Sequence, residues 1–197
     1  MTKTRKQETR LDRLRREAAA NPDSAKAQMR LGTALIRTPH LQEAEVALRR
    51  AVEIEPEYAE AWVNLGGLKM AAWDFDACAE ANQRALDCRP DMVQAHYNKG
   101  LSCMYQGQAE SMVACFERVV ELEPDNPGGQ YHLAVALFSA GEVDRAKACL
   151  NRALELGYSP QPELMRAITR QRGGEQSAAD SGPEAKNPNQ DPPTKEE

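Results

Sequence analysis

The sequence predicts an all-α solenoid of antiparallel helix pairs. The first observation behind this is a fixed offset of 34 residues, at which Pro22, Pro56, Pro90 and Pro124 superimpose, as do Gly32, Gly66, Gly100 and Ala134. Two further columns, Leu48, Asn82, Phe116, Leu150 and Ala51, Ala85, Val119, Ala153, keep the same register without an insertion. Self-similarity at this period marks a stack of repeated supersecondary units. The second observation is that small residues fill both the Gly/Ala column and the column Ala44, Cys78, Met112, Ala146, where they let two helix axes approach closely. Composition supplies the third: 41% hydrophobic residues suffice for a core, but only 5% are aromatic. That balance favours closely packed helices over a sheet of bulky residues.

Taken in order, residues 1–24 form a basic N-terminal helix whose Leu11, Leu14 and Ala18, ahead of Pro22, read as the second half of a preceding unit. Four full units follow at 25–58, 59–92, 93–126 and 127–160. Within each unit a turn separates two helices, at Thr38-Pro39, Trp73-Asp74, Gly107-Gln108 and Gly141-Glu142. The column prolines end each second helix, and Asp23, Asp91 and Asp125 are expected to cap the next one. Gly66 is expected to lie against Cys78. A capping helix is expected over 160–172, started by Ser159 and Pro160, with Leu164, Ala167 and Ile168 on its apolar face. The polar tail 173–197 has little to bury and is expected to be disordered.

The pattern resembles the tetratricopeptide repeat, whose consensus W-x2-L-G-x2-Y followed by A, F, A and P is matched best by Trp62, Leu65, Gly66, Cys78, Ala85 and Pro90. The resemblance implies a right-handed TPR solenoid with an N-terminal half-repeat helix and a C-terminal capping helix, and a concave groove lined by the first helix of each repeat. It also implies that the groove holds protein. Residues matching the groove slots are Lys26, Arg30 and Arg37 at a cationic end, Asn64 and Asn98 in the middle, and Tyr97, Leu101, Met104, Tyr105, Tyr131, His132 and Phe138 at an apolar end. Some members grip a C-terminal carboxylate with a Lys/Asn/Arg clamp. Here Asn64 matches one slot, whereas Met29, Thr33, Gln94 and Asn98 depart from the others, so the clamp is not met. Asn64 and Asn98 are instead similar to the asparagine ladder by which other members hold peptide backbone.

Two departures stand out. Lys69, Asn82 and Lys99 place polar groups in slots that are usually apolar, near the junction of repeats two and three. The lysines can snorkel and Asn82 can bond to backbone; alternatively the three loosen the junction. The column that carries tryptophan in the consensus reads Gln28, Trp62, His96, Gln130, and is expected to weaken packing locally.

Charge and chemistry narrow the function. The net charge of −5 argues against nucleic acid as a partner, and it is unevenly spread: residues 1–20 carry +4 and the tail from Gly173 carries −4. No apolar run is long enough to span a membrane, and five cysteines without a C-x-x-C pair suit free thiols in the cytoplasm. No nucleophile and base, phosphate loop, metal-ligand spacing or cofactor motif is evident. His96 and Cys103 share a helix face but occupy core slots, and His40 and His132 lack ligand-type neighbours. The sequence therefore points to a non-enzymatic adaptor or scaffold that binds an extended peptide segment of a partner. The alternative is a secretion-type chaperone for one client, and the solenoid ends offer a route to homo-oligomers.

Overall fold

The computed structural model describes residues 9–170. The expected disorder of 173–197 and the start of the basic segment lie outside the described residues. Ten helices follow one another without a strand among those residues: α1 (Arg10–Ala20), α2 (Ala25–Leu35), α3 (Leu41–Ile54), α4 (Ala59–Ala71), α5 (Phe75–Cys88), α6 (Val93–Tyr105), α7 (Ala109–Leu122), α8 (Pro127–Ser139), α9 (Val143–Glu155) and α10 (Pro162–Arg170). Four antiparallel pairs, α2/α3, α4/α5, α6/α7 and α8/α9, stack in series between α1 and α10.

Helix α1 starts at a reciprocal cap, in which Thr9 Oγ1 accepts the Asp12 N–H at 3.1 Å and the Asp12 carboxylate accepts the Thr9 N–H. Its Leu14 and Ala18 join Leu31, Leu35, Ala44 and Leu48 in the first core cluster, as a half-repeat should. Arg15 ties it further to α3 by donating from Nε and Nη2 to the two oxygens of Glu43, at 2.8 and 2.6 Å.

Within each repeat the helices meet at the glycine column. A Cβ on Gly32 would fall 2.6 Å from Leu48 Cγ, on Gly66 2.2 Å from Asn82 Nδ2, and on Gly100 2.8 Å from the Phe116 ring. The partner is thus the residue 16 positions later, and Gly66 lies against Asn82 rather than Cys78. Cys78 is one turn earlier on α5, where its thiol faces the backbone of α6 at Asn98. Of the three polar departures only Asn82 is fully buried. Its Nδ2 donates to Cys78 O at 2.8 Å and its Oδ1 accepts from Asn98 Nδ2 at 3.3 Å, so the polar group is satisfied inside the junction. Lys69 reaches Glu45 at 2.8 Å and Lys99 reaches Gln83 at 2.6 Å, each carrying its ammonium away from the core.

The tryptophan column is uniform in a way that residue type hides. Gln28, Trp62, His96 and Gln130 each present a side-chain N–H to the carbonyl of the proline six residues earlier, Pro22, Pro56, Pro90 and Pro124, at 3.3, 2.8, 2.9 and 3.0 Å. His96 does so in its Nε2–H tautomer. The expected weakness is therefore offset by a bond that fixes the chain where one repeat enters the next.

The caps sit one residue later than expected. Ser24 Oγ accepts the Ala27 N–H and Asn126 Oδ1 accepts the Gly129 N–H, whereas Asp23 and Asp125 pair with Arg50 and Arg152 at 2.8 and 2.6 Å. Asp91 is no cap either, since Met92 occupies that position at α6. In three of the four repeats the internal turn holds a left-handed residue: Trp73 (φ 61°) in repeat two, Gly107 (φ 70°) in repeat three and Gly141 (φ 83°) in repeat four. Only the first bears a side chain that this conformation penalises, by about 1–2 kcal/mol. Helix α10 begins at Pro162, two residues after the expected start, and covers the last repeat through buried Ile168 and half-buried Met165, while Ala167 is exposed.

The donor column predicts a selective tolerance. Gln130→Met should keep the volume but lose the bond to Pro124, lowering the urea unfolding free energy by about 0.5–1.5 kcal/mol, whereas Gln130→His should retain most of it. Equal losses in both variants would show that packing, not the N–H, matters there.

Candidate protein-interaction surface

At the N-terminal end of the groove, α1 and α2 enclose an open cavity of about 450 Å3. Its floor is apolar, formed by Leu11, Leu14, Met29 and Ala34, and its rim is cationic, formed by Arg10, Arg30 and Arg37. The floor exists because the half-repeat α1 covers only part of the apolar face of α2. Arg30 is held by Glu17 at 2.5 Å, but Arg10 and Arg37 have no ion-pair partner among the described residues. Lys26, exposed, precedes Arg30 by one turn of α2 without lining the cavity. Arg10 and Leu11 were not legible as groove residues, since they belong to a helix outside the repeat register.

The two asparagines differ from the expectation of a free ladder. Asn64 Nδ2 donates to Thr33 Oγ1 of the preceding repeat at 2.9 Å, and its side chain is half-buried. Asn98 is buried, donates to Asn82 Oδ1 at 3.3 Å and accepts from Gln94 Nε2 at 2.8 Å. Its carboxamide therefore belongs to the polar core of the junction, together with Ser102, whose Oγ donates to Asn98 O at 3.1 Å.

The apolar end is an assembly of stacked rings. His132 stacks on Phe116 with centroids 5.2 Å apart and meets Tyr97 and Tyr131 edge-on at 5.4 and 5.1 Å, while Tyr131 stacks on Tyr158 at 4.4 Å. Leu101, Met104 and Phe138 are half-buried against the same cluster. Burial alone pushes His132 from its ordinary 6.5 down to about 4, and its Nδ1 has no hydrogen-bond partner among the described residues. The phenols of Tyr97 and Tyr131 are pushed up by the same cause. Tyr105 stands apart from this assembly: it stacks on Phe75 at 4.4 Å and lies edge-on to Trp73 at 5.7 Å, at the turn edge of repeats two and three.

No group of three or more His, Cys, Asp or Glu that could hold a metal occurs among the described residues. The five thiols are unpaired, and burial raises four of them, Cys115 to about 11, which leaves them protonated and poorly nucleophilic. His96 is engaged with Pro90 and is not paired with Cys103. No helix among the described residues is long and apolar enough to cross a membrane.

Tetratricopeptide-repeat models match residues 9–59 and 104–167, together more than half of the sequence. The chain belongs to the tetratricopeptide-repeat family. Its fold is similar to that of MamA, with a TM-score of 0.69 and 21% identity over 74% of this chain and 85% of that one. MamA from Desulfovibrio magneticus RS-1 gives 0.67 and 18% over 74% and 82%, and PilF of Pseudomonas aeruginosa 0.68 and 19% over 75% and 67%. At these identities the likeness is one of fold. No curated protein matches the chain in sequence. Tetratricopeptide repeats are protein-interaction scaffolds.

The ring assembly carries a pH signature. The folded chain resists protonating His132 until about pH 4, while the unfolded chain takes up that proton near 6.5. The contribution of a neutral, packed His132 is therefore complete above pH 6.5 and is lost as pH falls from 6.5 towards 4. Urea titrations at pH 7 and pH 5 should show the parent losing on the order of 1–2 kcal/mol more than His132→Phe, which keeps the ring but cannot titrate. An equal loss in both would place His132 in contact with water.

Proposed function

We propose that this chain is a non-enzymatic scaffold whose concave face holds an extended segment of a protein partner, and that the segment combines acidic with apolar residues. The observation that carries the reading is the cavity between α1 and α2, where an apolar floor is ringed by Arg10 and Arg37, which have no ion-pair partner among the described residues. An aliphatic side chain can fill the floor while flanking carboxylates take bidentate hydrogen bonds from the guanidinium groups. Lys26 and Arg30 extend the cationic stretch along α2. Asn64 has its Oδ1 left to accept a peptide N–H, and the half-buried Tyr97, Leu101, Met104 and Phe138 give the far end an adaptable apolar surface, backed by buried Tyr131 and the packed His132 ring. Asn98 supports this face from below by holding the junction of repeats two and three. Five free thiols support a reducing compartment such as the cytoplasm.

The test is a fluorescence-anisotropy titration with a labelled twelve-residue peptide of alternating Glu-Leu and Asp-Leu steps. Arg37→Glu should weaken binding tenfold or more, matching about 1.5–3 kcal/mol for a charge-assisted bond, while Arg84→Glu on α5 should leave it unchanged. Asn98→Ala should act differently, costing on the order of 1–3 kcal/mol of stability because Asn82 loses its donor, with little change in affinity. Equal affinities for the parent and Arg37→Glu would remove the cavity from the binding mechanism.

A further inference from the structure

Outside the groove, the turn edge of repeats two and three carries three aromatic rings that the core does not use. Trp73 is 72% exposed and Tyr105 52% exposed, making them two of the few large apolar side chains left in solvent. Trp73 meets Phe75 and Tyr105 edge-on at 5.9 and 5.7 Å, and Phe75 stacks on Tyr105 at 4.4 Å, so the rings form one patch across two repeats. Its centre is held in an unfavourable conformation. Trp73 has φ 61° in the slot where the next two repeats have Gly107 and Gly141, and a bulky residue at positive φ is a true outlier. Strain kept at an exposed position, with no core packing to account for it, points to function.

The surroundings of the patch define what it accepts. Between Met70 and Gln83, and again between Gly100 and Cys115, the sequence has no lysine or arginine, while it has Asp74, Asp76, Glu80 and Glu110; Glu117, just beyond, is paired with Arg145. Asp74 caps α5 through the Ala77 N–H, and Asp76 accepts from Gln106 Nε2 at 2.6 Å; neither has a cationic partner among the described residues. Aromatic faces beside uncompensated carboxylates suit a guanidinium or ammonium group, which the ring quadrupole and the carboxylates attract together.

We propose that Trp73, Phe75 and Tyr105, with Asp74 and Asp76, form a second docking site that takes an arginine-bearing segment of a protein partner on the turn edge of the solenoid. Because the groove end carries Arg10, Arg30 and Arg37, the two sites differ in charge preference, and one partner with separate acidic and basic segments, or two partners, can be held at once.

The probe is a ten-residue peptide with four arginines spaced by Gly-Ser, titrated into the full chain labelled with 15N at 50 and 150 mM salt, with a citrulline version as the uncharged control. Only two tryptophans are present, so the spectrum offers two indole N–H signals, and Trp62 donates its own to Pro56. The arginine peptide should move the Trp73 signal and leave that of Trp62 in place, and the citrulline peptide should bind about tenfold more weakly. Trp73→Gly, a residue that this slot holds in two other repeats, should fold with unchanged far-ultraviolet circular dichroism and bind the arginine peptide about fivefold to tenfold more weakly, as should Asp76→Asn. The acidic groove peptide should bind Trp73→Gly as it binds the parent, so the two sites are judged separately. The proposal is overturned if Trp73→Gly and Asp76→Asn keep full affinity for the arginine peptide, or if a glutamate version of the peptide moves the Trp73 signal equally. It is also overturned if the signal shifts with protein concentration or on charge reversal of Lys3, Arg5 and Lys6, because the occupant would then be the basic segment of this chain or of a second copy.

Discussion

The structure depends on how closely the two helices of each repeat approach at one point. Gly32, Gly66 and Gly100 leave so little room that even a methyl group would overlap the side chain 16 residues later. Ala134 and Leu150 fill the same columns in repeat four and share one core cluster. A fixed contact in every repeat gives every pair the same geometry, and identical pairs stack into a regular solenoid. The concave face follows from this stacking: it is the side on which the first helices α2, α4, α6 and α8 line up.

Regular stacking also needs a link between repeats, and the chain makes it with polar groups. A proline follows each of α1, α3, α5 and α7, and its carbonyl is taken by a side-chain N–H at the head of the next first helix. At the junction of repeats two and three a further set of polar groups, Cys78, Asn82, Asn98 and Ser102, replaces apolar contacts with buried hydrogen bonds. This exchange gives little net stability but strongly penalises misalignment, since a slipped repeat would strand several buried donors. The polar cluster therefore fixes the register of α5 against α6 beneath the middle of the groove. The sequence segregates its charges along this stack: arginines line α1 and α2, and no cation occurs from Met70 to Gln83 at the turn edge.

Most of the fold was legible because the repeat period repeats the same test four times. Columns of proline, glycine and alanine each report one contact, and an error in one repeat is corrected by the other three. What was not legible depends on atoms rather than on residue classes. Gln28, Trp62, His96 and Gln130 look like a decayed apolar column until their shared N–H is seen to meet the same carbonyl. Asn98 reads as a groove residue by slot, yet its position beside Asn82 draws it into the core. Caps shifted by a single residue, from Asp23 to Ser24 and from Asp125 to Asn126, because the aspartates are drawn to arginines on the second helices. The candidate surface was half legible: Arg30 and Arg37 stand at the cavity, but Arg10 and Leu11 lie on a helix outside the repeat register. The Trp73 patch had a visible signal in the 34-residue offset, which puts a tryptophan where Gly107 and Gly141 follow.

The dependence on helix approach is tested most directly by a double-mutant cycle at Gly66 and Asn82, read by urea unfolding. Alanine is normally the better helix residue, by about 1 kcal/mol. In the parent, however, the new methyl group must displace Asn82 and disturb its bonds to Cys78 and Asn98, so Gly66→Ala should be destabilising by about 1–3 kcal/mol. In the Asn82→Ala background the space is free, and the same change should become stabilising by about 0.5–1 kcal/mol. A reversal of sign between the two backgrounds is the result this packing requires; a Gly66→Ala that stabilises the parent as much as the Asn82→Ala chain would contradict it.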